Sequence, residues 1–204
     1  MGPLAEDLNG RQTLQASILI FDETLSIEHT KLKPLTIALA VNEKYQILGV
    51  HVGSLPAFGK IADISRTKYG PRANQSNEKV TDLLTQVKQQ LLNLPSELRS
   101  DKKADYLSIA AKIFPTVQYT QCSSRGNKEK KREQKYLKSE KLIYDPLFPL
   151  NQRCAKIRDH IKRMARRNWC TTKKPQHLQW ALHLYITKNN GYDLFNSKNF
   201  ATTP

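Results

Sequence analysis

The sequence has few cysteines and no long apolar stretch. Its 204 residues include three cysteines, at positions 122, 154 and 170, and no two of them have the CxxC spacing of a zinc ribbon or finger. An odd, scattered set of this kind favours a reducing compartment over a disulfide-stabilised secreted protein. No apolar run approaches the roughly 20 residues that span a bilayer, and the amino terminus has no signal-peptide pattern. We therefore expect a cytoplasmic protein without a membrane partner.

Acidic residues are also scarce. The chain has 18 Asp and Glu against 33 Lys and Arg, a net charge of +15. This excess favours a polyanionic partner, nucleic acid before an anionic membrane, and the alternative is a generally basic, solvated surface. Between residues 125 and 174 there are 17 Lys and Arg but five acids. Such a local concentration predicts a track for backbone phosphates, and hence association with the nucleoid.

Apolar, β-branched runs dominate the first quarter of the chain. Residues 16–23, 35–42 and 45–53 predict three strands, and the short turn between the last two predicts a hairpin. Residues 1–15 are polar and are predicted to be a disordered amino-terminal segment, and residues 189–204 are predicted to be a polar tail. One domain is expected between them, over residues 16–188.

Helical and strand patterns alternate after a predicted loop over residues 54–76. A helix over 77–94, with Ser76 as its N-cap, precedes a weak strand that ends at Asp101. A helix over 105–114, a strand over 116–121 and two further helices complete the domain. The order β-β-β-α-β-α-β-α-α predicts an α/β fold with a mixed sheet flanked by helices.

Two aspartates stand at predicted strand ends, because Asp22 closes the first strand and Asp101 closes the fourth. These strands are neighbours in one common mixed-sheet arrangement, so the two carboxylates are expected to meet. Hard oxygen ligands suit Mg²⁺, and two such ions can clamp a phosphodiester during displacement. The alternative for each aspartate alone is a turn former or a helix cap. Glu23 points to the other face of the strand and is interpreted as a bystander.

The basic segment near residue 150 predicts an amphipathic helix. Its apolar stripe is expected to face the sheet, and consists of Leu150, Cys154, Ile157, Ile161 and Met164. Asn151 stands at the predicted start of the helix, where it fits an N-cap, a metal ligand or both, and Asp145 is a reserve ligand. Arg158 and Lys162 share the flank of Asn151. The predicted DNA-binding surface continues through Arg163, Arg166, Arg167, Lys173 and Lys174.

Three sequence blocks resemble the catalytic domain of bacterial insertion-sequence transposases. They are ILIFDETLSIEHTKLKPLTIALAVNEKYQILGVHV, SDKKADYLSIAAKIFP and LNQRCAKIRDHIKRMARRNWCTTKK, and the resemblance runs from about residue 16 to 188. It implies an RNase H-like fold with a DDE-type site for Mg²⁺ or Mn²⁺. Asp22 and Asp101 match its first two acids, and Asn151 stands where the family usually has Glu. Arg158 follows seven residues later, where the family typically has a basic residue.

The resemblance also implies an activity. It is metal-dependent DNA cleavage and strand transfer of a mobile element, in which water attacks first and the freed 3′-hydroxyl then attacks target DNA. The implied partner is double-stranded DNA, as element ends and as target. A homo-oligomer is also expected, because these transposases generally act as multimers.

Two departures from the family support an alternative. Asn151 is neutral, and about fifteen residues precede the first predicted strand, where the family usually carries a zinc ribbon or helix-turn-helix. The alternative is a truncated or decayed transposase that binds DNA without catalysis. A basic RNA-binding module is a third possibility, which explains the charge but not the two strand-end aspartates.

Overall fold

The fold centres on one five-stranded sheet, seen in a computed structural model that describes residues 1–122, 145–164 and 172–192. Its strands are β1 (Ile18–Glu28), β2 (Thr30–Asn42), β3 (Ile47–Ser54), β4 (Glu97–Ser100) and β5 (Gln118–Gln121). The helices are α1 (Gly2–Gly10), α2 (Ala62–Tyr69), α3 (Ser76–Gln90), α4 (Ala104–Ile113), α5 (Phe148–His160) and α6 (Pro175–Asn189), with short 3-10 turns at Gly59–Ile61 and Lys162–Met164.

The strand order is β3-β2-β1-β4-β5. The first three strands form an antiparallel meander, and β4 and β5 continue the sheet parallel to β1. The predicted α/β class with a mixed, helix-flanked sheet is therefore confirmed. Pairing is uneven along β1, because β2 follows it from Leu19 to Glu28 whereas β4 pairs only with Ile18, Leu19 and Ile20.

Helices cover both faces of the sheet. On β1, Ile20 packs into the core beneath α5 and α6, whereas Leu19 and Phe21 pack into the core beneath α3 and α4. This division follows from the two-residue period of a strand. β2 lies between two other strands, and its residues from Leu35 to Asn42 are all buried. Its nearly continuous apolar run is what a strand covered on both faces requires.

The predicted disorder of residues 1–15 is wrong, because α1 forms there and packs against α6. Ala5 and Leu8 are buried in this contact. Asn9 is buried as well, and its amide donates to the carbonyl oxygen of His183 at 3.0 Å. The side chain of Gln90 donates to the carbonyl oxygen of Asn9 at 2.6 Å. Distant partners therefore order this helix, and local composition does not reveal them.

Three other boundaries differ from prediction. The expected loop over 54–76 contains α2, and α3 ends at Gln90 rather than at residue 94. Ser76 does not cap α3, because it is the first helical residue and its hydroxyl donates to Glu23. The predicted last helix is α6, and the tail beyond residue 192 lies outside the described residues. Across the described part of the chain, no helix combines the length and apolarity of a membrane span.

Candidate metal site and nucleic-acid surface

Asp22 and Asp101 meet because β1 and β4 are adjacent and parallel. Ile20 pairs with Arg99, and continuing this register by two residues aligns Asp22 with Asp101. Asp22 shares the face of Ile20, which is the face covered by α5. Strand β4 ends at Ser100, so the two aspartates lie where the pairing of the two strands stops.

The electrostatics of Asp22 reflect this neighbour. Burial, with a smaller contribution from the nearby carboxylate of Asp101, raises the pKa of Asp22 to about 6. Its Oδ1 accepts hydrogen bonds from the backbone N–H of Glu23 at 2.7 Å and the hydroxyl of Tyr106 at 3.1 Å, which only partly offset burial. Within the described residues, no lysine or arginine forms a salt bridge with either aspartate. Neither aspartate is therefore directly paired with a cation in this part of the chain.

The thiol of Cys154 on α5 independently supports the position of Asp22. Burial raises the pKa of Cys154 to about 11, and by smaller amounts Arg158 lowers it and Asp22 raises it. Asp22 therefore lies close enough to α5 to affect its inner face. Arg158 also reaches β1, where its guanidinium donates to the hydroxyl of Thr24. An arginine thus stands two residues along the strand from Asp22.

Glu23 lies on the opposite face and is fully engaged. Its carboxylate accepts hydrogen bonds that come from β2, α3 and α4, and from the turn before α4. The donors are Thr36 at 2.6 Å, Ser76 at 2.8 Å, Tyr106 at 2.9 Å and the ammonium of Lys103 at 2.5 Å. Burial raises the pKa of Glu23, but these contacts outweigh burial and lower it overall. The sequence interpretation missed this role, because the donors are remote along the chain.

Asn151 does not begin its helix. Helix α5 starts at Phe148, so Asn151 lies within the helix, and its predicted N-cap role is wrong. Its exposed amide donates to Asp145 Oδ2 at 3.1 Å, and Asp145 Oδ1 accepts the backbone N–H of Leu147 at 3.0 Å. Asp145 therefore provides the carboxylate contact at this helix start. The role of Asn151 as a third metal ligand stays a prediction.

The rest of the predicted surface is partly described. The apolar stripe of α5 is confirmed, because four of its members are buried and Ile161 packs against the same core. Arg158 is half-buried. The other described cations of the surface are exposed, namely Lys162, Arg163, Lys173 and Lys174. Arg166 and Arg167 lie outside the described residues.

Chemically, the aspartate pair offers hard oxygen donors beside a basic helix. Among residues 1–122, 145–164 and 172–192, no group of three His, Cys, Asp or Glu side chains is arranged to hold a metal ion. Any ion at this position would therefore depend on the two aspartates together with water, an amide or a substrate oxygen. No known family model matches the chain, and no curated protein matches it at a significant level.

Proposed function

We propose that the chain is the RNase H-like catalytic domain of a DNA transposase, which cleaves phosphodiester bonds and transfers strands of an insertion sequence. The observation that carries the proposal is the alignment of Asp22, within β1, with Asp101, just past the carboxyl end of the adjacent parallel strand β4. The order of three antiparallel strands followed by two parallel strands supports an RNase H-like arrangement. The basic helix over the same face supports a nucleic-acid substrate.

The aspartate pair fits Mg²⁺ or Mn²⁺. The like charge of Asp101 raises the pKa of Asp22, and a divalent cation would relieve this repulsion where no described lysine or arginine pairs with either carboxylate. Oδ1 of Asp22 already accepts two hydrogen bonds, which leaves Oδ2 as the ligand atom. Magnesium commonly takes one or two carboxylates and fills its other positions with water and phosphate oxygens. The ion would supply activation of water and a counter-charge for the phosphate.

Basic side chains hold the substrate in this proposal. Arg158 uses part of its guanidinium on Thr24, and the remaining N–H groups of the fork suit a phosphate. Lys162 and Arg163 follow at the end of α5, where they extend the positive surface. The DNA backbone would therefore lie across α5, with the scissile phosphate at the aspartates.

A second candidate is a DNA-binding protein that has lost catalysis. The exposed amide of Asn151 bonds to Asp145, and an amide contributes no negative charge to offset divalent ions. This candidate keeps the basic surface and the DNA partner. It differs from the first candidate in whether cleavage occurs.

A plasmid assay with matched carboxylate variants tests the proposal. We expect the wild-type protein to nick supercoiled DNA in Mg²⁺ or Mn²⁺ and to join a 3′-hydroxyl end to target DNA. Asp22→Asn and Asp101→Asn should lower the cleavage rate by roughly 100-fold or more. Both variants should also weaken Mn²⁺ binding, which electron paramagnetic resonance measures. Asp105→Asn is the control, because Asp105 is exposed and lies on α4.

The outcomes separate the two candidates. Mn²⁺ binding that survives Asp101→Asn would overturn the aspartate site. A wild-type protein that binds DNA but neither binds Mn²⁺ nor cleaves would support the decayed candidate. If Asn151→Glu then creates cleavage, the chain is a relic of a transposase with three acids.

A further inference from the structure

Strand β1 continues past the aspartate pair to a second basic surface. At about 3.3 Å per residue, Glu28 lies about 20 Å along the strand from Asp22. Beyond the short pairing with β4, the next described backbone on this side of β1 is at Thr172, which bridges to Glu28. The backbone N–H of His29 donates to the carbonyl oxygen of Thr172 at 2.7 Å. Lys173 therefore follows directly beside the end of the β1–β2 hairpin.

Helix α2 packs against the same hairpin end. The hydroxyl of Ser65 donates to the carbonyl oxygen of Leu32 at 2.6 Å. The ring of Tyr69 lies beneath two ammonium groups, with Lys33 at 4.7 Å and Lys68 at 5.5 Å from its centroid. We define the hairpin-end cluster as the cations gathered there, Lys31, Lys33, Arg66, Lys68, Arg72, Lys173 and Lys174.

Few acids balance this cluster. Glu28 pairs with Lys33 at 3.6 Å and Arg72 at 3.3 Å, and Asp63 pairs with Arg66 at 3.3 Å. The remaining four members are exposed and form no salt bridge with any described acid. They are Lys31, Lys68, Lys173 and Lys174. Their ammonium groups can therefore bind an external anion without breaking a salt bridge between described residues.

The cluster is aligned with the aspartates. Lys31 and Lys33 lie on β2 at the irregularity where its register with β1 shifts, between the Ile27–Pro34 and Glu28–Thr30 pairs. Leu39 pairs with Asp22 across the sheet. Arg158, bonded to Thr24, stands between Asp22 and the hairpin end. Positive charge thus continues along the hairpin from Arg158 to the hairpin end.

We propose that the hairpin-end cluster binds the sugar–phosphate backbone of a DNA duplex that also contacts Arg158. Phosphates on one strand are spaced about 3.4 Å apart along the duplex axis, so 20 Å corresponds to roughly six nucleotides from the aspartates. That distance to a cleavage position rests on the proposed function, whereas backbone binding does not require catalysis. A line of cations along a strand favours a linear polyanion over a membrane. Exposed Phe58 and Ile64 near α2 make a membrane the competing outcome.

The test measures binding of a 20-base-pair duplex in EDTA, where no cleavage occurs. Fluorescence anisotropy over a series of salt concentrations compares wild type with the triple variant Lys31→Ala, Lys68→Ala, Lys173→Ala. We expect affinity at about 0.1 M salt to fall roughly tenfold or more. The slope of log K against log salt should become shallower by about 0.9 for each phosphate that the variant no longer neutralises.

The control variant removes the same charge elsewhere. Lys44, Lys112 and Lys188 are exposed, and they lie in the β2–β3 turn, on α4 and near the end of α6. Their triple replacement by alanine should change affinity by no more than about twofold, with an unchanged salt slope. An equal weakening of binding in the two triple variants would overturn the proposal, because only net charge would then matter. Unchanged binding by the cluster variant would overturn it as well.

Two further outcomes separate the partners and the two proposals. Binding of the same proteins to vesicles of phosphatidylcholine with phosphatidylserine is measured in parallel. Wild-type binding to them that exceeds DNA binding, and that disappears in the cluster variant, would overturn the DNA assignment. If DNA affinity depends on the hairpin-end cluster but the protein never nicks plasmid DNA, the proposed binding surface is supported and the proposed catalysis is contradicted.

Discussion

Asp22 and Glu23 are adjacent carboxylates on one strand with opposite electrostatic surroundings. The pKa of Asp22 is raised to about 6 by burial and by Asp101, whereas hydrogen bonds and Lys103 lower the pKa of Glu23 despite its burial. Strand alternation causes the contrast, because it points one side chain toward α5 and the other toward α3 and α4. Although the two residues are adjacent, the protein's own donors compensate the charge of Glu23 but not that of Asp22.

The contrast distinguishes a structural acid from a candidate functional one. Glu23 joins β2, α3 and α4 through donors that compensate its charge. Asp22 retains a charge that burial disfavours, and strongly perturbed groups of this kind cluster at functional sites. We therefore expect the ionised Asp22 to lower the stability of the fold relative to a neutral side chain, as is common at sites kept for ligand binding.

Tyr106 links the two sides. Its hydroxyl lies 3.1 Å from Asp22 Oδ1 and 2.9 Å from Glu23 Oε2. Burial, together with the carboxylates of Asp22 and Glu23, raises the pKa of Tyr106, so the hydroxyl keeps its proton. One proton can serve only one carboxylate at a time. The two acids therefore compete for a shared donor.

The largest effect is expected from Glu23→Ala. This change leaves the ammonium of Lys103 and the hydroxyls of Thr36 and Ser76 without their acceptor. Glu23 and Lys103 form a largely buried ion pair. Removing Glu23 should lower the free energy of unfolding by about 3–4 kcal/mol, measured by urea denaturation at pH 7.5. Glu78→Ala, at an exposed pair with Lys79, is the control and should cost less than about 1 kcal/mol. Similar destabilisation of both variants would contradict the contrast.

Asp22→Asn should raise the free energy of unfolding, in contrast to Glu23→Ala. The pKa of Asp22 in the folded protein is about 6, above the ordinary 3.8, so folding favours the protonated form and stability falls as pH rises between these values. The free energy of unfolding of the neutral variant should therefore exceed that of wild type by about 3 kcal/mol at pH 7.5 in EDTA. The difference should disappear near pH 3.5, as followed by urea unfolding at both pH values. A destabilised variant at pH 7.5 would show that Asp22 is structural.

Much of the contrast follows from local patterns. The strand that contains Asp22 is recognisable from its apolar, β-branched run, and alternation already separates Asp22 from Glu23. The meeting with Asp101 follows once β1 and β4 are taken as parallel neighbours. The inner face of α5 follows from helical spacing, with Leu150 and Ile157 buried as expected. These features depend on the spacing of apolar residues and on the order of strands and helices, which can both be read from the sequence.

The partners of Glu23 could not be predicted in the same way. Ser76 fits an N-cap by local preference, but its hydroxyl donates to Glu23 instead. Asn151 likewise fits a cap, yet α5 begins three residues earlier and the side chain of Asn151 donates to Asp145 instead. Asn9 and His183 are 174 residues apart and order α1 together. In each case a distant partner competes with the local preference and determines the result.

Tyr106→Phe tests the shared donor. Removing one hydroxyl should lower the free energy of unfolding by about 1 kcal/mol. It should also raise the pKa of Asp22, because the hydrogen bond from Tyr106 lowers that pKa. Carboxyl ¹³C resonances followed through a pH titration measure the change. Tyr185→Phe, on α6, is the control and should leave the Asp22 titration unaltered, and an equal response of the two variants would exclude a specific link.

The smallest change in stability is expected from Asp101→Asn. This variant also tests most directly whether the carboxylates of Asp22 and Asp101 lie close together. Stability should change by less than about 1 kcal/mol, because Asp101 is only half-buried and its side chain forms one short local contact with the backbone of Lys103. The pKa of Asp22 should fall, since a like charge beside it disappears while its burial remains. The same ¹³C titration measures it, with Asp105→Asn as the exposed control. If Asp22 titrates identically in wild type and Asp101→Asn, the two carboxylates do not face one another, and a shared ion between them is excluded.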